Sequence, residues 1–295
     1  LRLGVPFAIG TLLLAPLAYY PAYLQLAAED APHTFWRQWL ALGAWPPGPL
    51  WFLPVLLAFD ALAVLVLRFF PFWNEKPAAL GSLTKTRPLS AYLTLLILAI
   101  AAYLPMSFVA DPFGWWVWGP FVVQGSRWAL YAVYFFFGVA LSVGKVGGDL
   151  FTLTAKLGHR WKAWFAAAVF MFAAFALVLV AAFYADQQNS EHAFLVGVAA
   201  RIAYAATGVT TSFAMLAFFT RSDAPHRPLF ARLVPNAFAM YIVHHGIVTW
   251  LQYALLGTPL SATTKGIAVV FAAIVLSWTT AAALRKIPAL ERVLR

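Results

Sequence analysis

The sequence predicts an all-α fold, a polytopic transmembrane helix bundle of about eight spans that forms a single domain over residues 1–295. Three observations favour this fold class. Hydrophobic residues make up 63% of the chain and charged residues only 10%, whereas about a quarter of the residues in a soluble domain are charged. Eight apolar stretches approach the roughly 20 residues that a spanning helix needs. The basic residues fall unequally on the two sides that these stretches define.

The apolar stretches end at proline, glycine or charged residues, which interrupt helices or lie in loops. The first stretch follows Arg2 and resembles a signal peptide, but no cleavage site and soluble domain come after it, so we interpret it as a membrane helix. The predicted spans are residues 4–20, 50–70, 90–106, 127–144, 162–184, 194–219, 236–256 and 266–284.

The distribution of lysine and arginine predicts the orientation of the spans. Eight spans place sixteen of the twenty basic residues on one side and leave four on the other, namely Arg37, Arg127, Arg201 and Lys265. By the positive-inside rule we expect both termini to be cytoplasmic. We expect the membrane to be a bacterial cytoplasmic (inner) membrane. Topology therefore accounts for the net charge of +10, and we expect no nucleic-acid partner. The absence of cysteine excludes disulfides and thiolate metal sites.

Two long connections on the predicted outer side, residues 21–49 and 107–126, are rich in tryptophan. Tryptophan commonly forms a belt at the lipid–water interface. An exposed indole face can also stack on the sugar rings of a carbohydrate acceptor, and the sequence leaves both interpretations open. The tryptophans concerned are Trp36, Trp39, Trp45, Trp115, Trp116 and Trp118.

A few ionisable side chains lie within the predicted spans, where each is a default site hypothesis because its insertion is costly. In the seventh span, His244 and His245 follow Tyr241 at i+3 and i+4, so the three side chains share one broad face. They either line a polar cavity or form hydrogen bonds that tie helices together. Neighbouring histidines point about 100° apart on a helix and lack the spacing of a metal site, so we expect no bound metal.

Three further charged residues are candidates. Asp60 lies in the second span, and we expect it to neutralise an arginine of a neighbouring helix; orienting a catalytic imidazole is the alternative. Arg201 lies in the sixth span and can bind a phosphate or carboxylate through its planar fork, or form a salt bridge with Asp60. Arg127 opens the fourth span at the outer interface. Motifs of soluble hydrolases, dinucleotide-binding and P-loop enzymes do not occur.

The segment Pro235-Asn-Ala-Phe-Ala-Met-Tyr-Ile-Val-His244-His-Gly-Ile-Val resembles the late-helix signature of the membrane acyltransferase type 3 family. The match puts Tyr241 and His244 on the family's tyrosine and histidine. Further similar stretches are residues 48–53, 130–138 and 284–288. Within the family, the branch that succinylates periplasmic glucans is the most similar.

The resemblance begins at the family's third helix. It implies that the chain is N-terminally truncated and lacks two helices, the first of which carries the histidine that the family is thought to use in catalysis. Arg2 matches the second arginine of the family's Arg-x-x-Arg motif. Pro49 is a departure, because many relatives have histidine there.

The resemblance implies an O-acyltransferase that moves an acyl group from acyl-CoA, its donor substrate, to a hydroxyl of an extracytoplasmic glycan or glucan, with no bound cofactor. In this chain it assigns donor- and phosphate-holding roles to Arg2, Arg127 and Arg201. Tyr241, His244 and His245 would shape the substrate cavity, and His244 as the catalytic base is a further hypothesis.

Two other function classes fit the composition. A secondary transporter also has spanning helices with few buried charges, but we find no inverted repeat of the kind such transporters carry. A non-catalytic membrane scaffold fits a chain without the family's first helices.

Overall fold

A computed structural model describes residues 3–26, 34–43, 45–69, 88–143, 156–221 and 233–294. In these residues the chain is almost entirely helical, and its one sheet is a two-stranded hairpin. The predicted all-α class is therefore confirmed. The helices are α1 (Gly4–Ile9), α2 (Ala15–Leu26), α3 (Phe35–Ala41), α4 (Phe52–Phe69), α5 (Pro88–Val109), α6 (Trp128–Val143), α7 (Trp161–Gln187), α8 (Ala193–Phe219), α9 (Ala237–Leu255), α10 (Ala262–Leu284) and α11 (Pro288–Leu294).

Shorter elements connect these helices. A π-helical turn, Gly10–Leu14, joins α1 to α2 into one helix, and a 3-10 turn, Gly48–Trp51, leads into α4. The strands β1 (Trp115–Trp118) and β2 (Phe121–Gln124) precede α6. A second 3-10 turn, Val234–Asn236, precedes α9.

All eight predicted spans are helical, within a few residues of the expected bounds. Among the described residues, six helical segments are long and apolar enough to cross a bilayer. Two predicted spans are not among these six. One is α6, which is short at 16 residues. The other is α9, whose histidines and other polar residues lower its mean hydropathy. The protein is thus a multi-pass membrane protein, and the count of eight spans stays a prediction.

The chain forms two compact units, each assembled from segments that are distant in sequence. Unit 1 contains residues 1–58, 116–123 and 225–295, and unit 2 contains residues 59–115 and 124–224.

In unit 1, helix α9 packs against α2 and α10. The Trp250 Nε1–H donates to the Leu17 carbonyl oxygen at 3.0 Å and joins α9 to α2. Ser261 caps α10, because its hydroxyl accepts a hydrogen bond from the Thr264 N–H at 3.2 Å. The apolar core beside these helices consists of Phe7, Leu50, Leu53, Ala239, Ile242 and Ala281.

In unit 2, the core is a stripe of α5 packed on a stripe of α8. Both stripes recur every four residues, which puts their members on one helix face, and alanines in both let the helices approach closely. Tyr92 and Thr210 hydrogen-bond across this contact at 3.0 Å. The buried members are Ala91, Leu95, Ala99 and Tyr103 of α5 and Ala205, Val209, Phe213 and Ala217 of α8.

A helical turn at residues 156–159 packs on the end of α8 in unit 2. Leu157 is completely buried there. Gly158 has no room for a side chain, because a Cβ atom would lie 2.6 Å from the Thr220 carbonyl oxygen.

We expect Gly158→Ala to destabilise the protein by about 1–3 kcal/mol, since the clash is with backbone and forces the turn to move. The matched control is Gly138→Ala in α6, where a Cβ would have no neighbour within 4 Å. Thermal unfolding in detergent should show a lower midpoint for Gly158→Ala and no decrease for Gly138→Ala. Equal midpoints would contradict the packing of residues 156–159 on α8.

Candidate functional site

The polar face of α9 in unit 1 is built at the start of that helix. Asn236 is buried just before α9, and its Oδ1 accepts a hydrogen bond from Arg285 Nη1 at 3.0 Å. This bond joins the N-terminal end of α9 to the C-terminal end of α10. It fixes where α9 begins, and with it the direction in which the polar face of the helix points.

Tyr241 connects α9 to the proline-rich turn that precedes α4. Its hydroxyl donates to the carbonyl oxygen of Pro49. Gly48, at the centre of the Pro47-Gly48-Pro49 segment, adopts φ +57°, a left-handed conformation that glycine accommodates without strain. The hydroxyl of Tyr241 therefore serves to hold this turn against α9.

His244 is half-buried and is held by its own helix. Its Nδ1 lies 2.6 Å from the carbonyl oxygen of Tyr241. A carbonyl oxygen only accepts hydrogen bonds, so Nδ1 carries the proton, and in the neutral ring Nε2 has a free lone pair. Nε2 has no hydrogen-bond partner in the described part of the chain. This geometry suits a group that accepts a proton or hydrogen bond from a substrate.

His245 points to a different side of α9 and packs under the same turn. Its ring makes an edge-on contact with Tyr19, with centroids 5.6 Å apart. Its Nε2 is buried and has no partner among the described residues. A cavity of only about 10 Å³ lies beside it, lined by Tyr241 and His245 but not by His244. Since about 10–15 Å³ is the least that holds a water molecule, this space is closed to larger ligands.

A second candidate site lies within unit 2. It is a cavity of about 1020 Å³ where α5 and α7 end and α6 and α8 begin. Arg127 and Arg201, which sequence reasoning selected separately, both line it. Tyr103, Phe108 and Tyr204 supply aromatic walls of the same cavity.

The side chain of Arg127 is positioned by the end of the hairpin and by α8. Its Nη1 donates to Gln124 Oε1 at 2.7 Å, and the Tyr131 hydroxyl donates to the same oxygen at 3.1 Å. The guanidinium carbon lies 4.8 Å from the ring centroid of Tyr204. Such a cation–π contact holds the charge without neutralising it.

Arg201 is half-buried and has fewer partners. Its guanidinium carbon lies 4.7 Å from the ring centroid of Phe108. Its Nη1 would be 3.0 Å from a Cβ on Gly197, one turn earlier on α8. The side chain therefore runs back along the helix toward the N-terminal end of α8, in the direction that helical side chains take.

One predicted site residue, Asp60, does not join these sites. Asp60 is exposed on α4, and in the described ranges no hydrogen bond or ion pair joins it to Arg201 or to another basic residue. Asp60 is exposed, so its charge does not need a buried partner. Arg2 lies outside the described residues.

The tryptophans of the two predicted outer connections include a buried one and an exposed pair. Trp39 is buried in a cluster with Tyr19, Tyr20, Tyr23 and Phe35, so its ring is not available to stack on a sugar. Trp116 and Trp118 are exposed on alternate positions of β1, with ring centroids 6.1 Å apart. This pair suits either of the roles left open by the sequence.

Several residues of the sites were missed by sequence reasoning. Gln124 and Tyr204 carry no signal of their own, because only the packing of unit 2 brings them to Arg127. Gly48 and Gly197 do carry a signal in the sequence. A glycine between two prolines marks a special turn, and a glycine one turn before a membrane arginine marks a path for its side chain.

We expect Gly48→Ala to lower stability more than Gly43→Ala. Both positions have positive φ, +57° and +63°, so both variants bear about 1–2 kcal/mol of left-handed strain. Only at Gly48 would the new Cβ also meet a ring, 2.8 Å from His245 Cδ2, which adds about 1–3 kcal/mol. Thermal unfolding in detergent measures the difference, and indistinguishable midpoints would contradict the packing of His245 under the turn.

The chain was compared with known proteins. A family model described as an acyltransferase domain, that of the acyltransferase type 3 family, matches residues 1–282. No curated protein and no solved structure matches the chain. The family match covers nearly the whole sequence, and six helical segments of the described chain are able to span a bilayer. The chain therefore belongs to the acyltransferase type 3 family and is an integral-membrane acyltransferase.

Proposed function

We propose that this protein is an O-acyltransferase that moves an acyl group from acyl-CoA to a hydroxyl of an extracytoplasmic glycan, with a glucan as the acceptor class. The observation that carries the proposal is the held imidazole of His244 in a chain that belongs to an acyltransferase family. The acceptor hydroxyl must lose a proton during transfer, and His244 has a free ring nitrogen to take it.

The reaction balances with this chain's own residues and two substrates. The oxygen of the acceptor hydroxyl attacks the thioester carbonyl carbon of acyl-CoA, while His244 Nε2 takes the hydroxyl proton. The carbon–sulfur bond then breaks, a carbon–oxygen ester bond remains on the glycan, and the coenzyme A thiolate receives the proton from His244. No oxidant, reductant or metal enters this sequence.

The remaining site residues have binding roles in this proposal. Arg127 and Arg201 hold the anionic part of a substrate in the cavity of unit 2, because two guanidinium groups line it. Arg2 shares the donor- and phosphate-holding role that the family resemblance assigns to it. Tyr241 and His245 hold the turn at Gly48 against α9, the helix that carries His244.

The proposed orientation follows from the distribution of charge. Sixteen basic residues on one predicted side support an orientation with both termini in the cytoplasm, and we propose a bacterial cytoplasmic membrane. Arg127 and Arg201 belong to the four basic residues of the other side. In this proposal the cavity of unit 2 is on the extracytoplasmic side.

We expect His244→Ala to lower the rate of ester formation about 10²–10⁴-fold, the usual contribution of a general base. Purified protein in vesicles is given labelled acetyl-CoA or succinyl-CoA and a glucan oligosaccharide, and esterified glucan is counted. His244→Asn is equally slow in this account, because its amide can donate to the Tyr241 carbonyl but cannot take a proton.

The control is His192→Ala, an exposed histidine before α8 with 69% of its side chain accessible, which should leave the rate unchanged. A His244→Ala rate equal to that of the unaltered protein would overturn both roles assigned to His244. Recovery of the rate in His244→Asn would assign His244 to positioning and remove it as the base. No ester formation by the unaltered protein would overturn the proposed function.

A further inference from the structure

A second cavity of unit 2 lies at the opposite end of α5 and α7 from the cavity described above. Its volume is about 540 Å³. The first residues of α5 form one wall, and the turn at residues 156–160 that leads into α7 forms another. We call it the basic cavity. Its lining includes Pro88, Leu89 and Trp164 together with three basic side chains, those of Lys156, His159 and Arg160.

The charge of the basic cavity favours an anionic ligand. Lys156 and Arg160 each carry a full positive charge, and none of the described residues in the lining is acidic. The side chains of His159 and Arg160 are exposed, so a ligand can reach them. Helix α5, which has 22 residues, begins at this cavity, and the N-terminal end of a helix attracts negative charge.

The basic cavity is built on fixed parts of the fold. Leu157 is completely buried, and Gly158 lies directly against the end of α8. The two basic residues that follow them therefore start from a fixed backbone. On the α7 side, the ring of Trp164 packs on Tyr92 and Phe213, with ring centroids 5.3 and 5.4 Å away. A site on rigid elements loses little conformational freedom when it binds a ligand.

The position of the basic cavity indicates that its anion comes from the bilayer. Helix α7 is the least buried of the six helical segments that can span a membrane, with an apolar stretch of 18 residues that has no buried member. Lipid therefore covers this helix in a membrane. At its first residue, Trp161, Lys162 and Arg221 lie over the indole ring, 5.8 and 4.8 Å from the centroid. Tryptophan and basic side chains together are typical of a membrane surface.

We propose that the basic cavity binds the headgroup of an anionic phospholipid, with the phosphoryl group held by Arg160 and Lys156 and with His159 beside it. A guanidinium fork matches the oxygens of phosphate, and a lysine attracts them as a point charge. Basic pockets between membrane helices are known to hold such headgroups. The lipid joins the start of α5 to the start of α7. This site has no part in the proposed acyl transfer, so the two proposals can fail separately.

Native mass spectrometry tests the proposal, because it counts the lipids bound to each protein molecule. Purified protein in a maltoside detergent is mixed with phosphatidylglycerol or with phosphatidylcholine of the same acyl chains. We expect one phosphatidylglycerol to bind at least about tenfold tighter than phosphatidylcholine, whose headgroup has no net charge. Equimolar inorganic phosphate or coenzyme A should not displace it. Phosphatidylglycerol should also raise the thermal unfolding midpoint, since it binds the folded state.

Arg160→Gln should weaken phosphatidylglycerol binding about tenfold. Arg160→Lys should weaken it less, because the charge remains and only the fork is lost. Arg68→Gln is the matched control, since Arg68 is an exposed arginine of the same predicted side, in unit 2 and outside the cavity lining. It should bind as the unaltered protein does. Size-exclusion profiles check that each variant is folded, and the comparison of the two lipids on the unaltered protein remains a test if a variant does not fold.

Four results would overturn the proposal. Equal binding of the two lipids would show that the headgroup charge is not recognised. An equal loss in Arg68→Gln would show diffuse attraction to the basic side of the protein. Displacement by coenzyme A would assign the cavity to the acyl donor, and displacement by inorganic phosphate would assign it to a soluble anion. Lipid binding without any acyl transfer would count against the proposed function alone.

Discussion

A polar side chain within a membrane span must find its hydrogen-bond partner inside the protein, because the hydrocarbon core of the bilayer offers none. Much of this structure follows from that constraint. The Tyr241 hydroxyl uses a carbonyl of the proline-rich turn, and His244 uses a carbonyl of its own helix. Thr210 of α8 bonds both Tyr92 and the Ala206 carbonyl of its own helix. Each of these bonds also fixes the position of a helix or a turn.

A polar atom that lacks a hydrogen-bond partner inside a membrane span is a candidate contact for a ligand. Most polar groups in the described spans have partners, so the exceptions are informative. In the described residues the Nε atoms of Arg127 and Arg201 are such exceptions, as are single atoms of Thr11, Arg221, Ser277 and Arg285. The Nε2 of His244 also has no hydrogen-bond partner there, since its one hydrogen bond is made by Nδ1. His245 is a different case, since its unpaired Nε2 lies beside a space too small for a substrate. The proposed roles are therefore chemistry for His244, substrate binding for the two arginines and packing for His245.

The helices could be predicted from the sequence because hydrophobic length and breakers are local properties. The shared face of Tyr241, His244 and His245 was also predictable from helical spacing, but not their division of roles, which depends on the Pro47-Gly48-Pro49 turn contributed by a distant segment. Pro49 appeared as a departure from the family pattern, yet its contribution here is a backbone carbonyl, which any residue would supply.

Tertiary packing decided what the sequence left open. Arg127 and Arg201 are 74 positions apart, and only the packing of unit 2 places them on one cavity. The sequence predicts that Asp60 neutralises an arginine of a neighbouring helix, with Arg201 as one possible partner, but Asp60 is exposed. Trp39 was grouped with surface tryptophans, and the aromatic residues of α2 and α3 cover it.

The chemistry of the product tests the central claim most directly. Purified protein is incubated with acyl-CoA and a glucan oligosaccharide, and free coenzyme A thiol and glucan mass are measured together. An O-acyltransferase predicts one thiol released for each acyl group gained by the glucan, with the added mass removed by mild alkali as an ester is. Thiol release without any gain in glucan mass, or a gain in mass that mild alkali does not remove, would contradict the account.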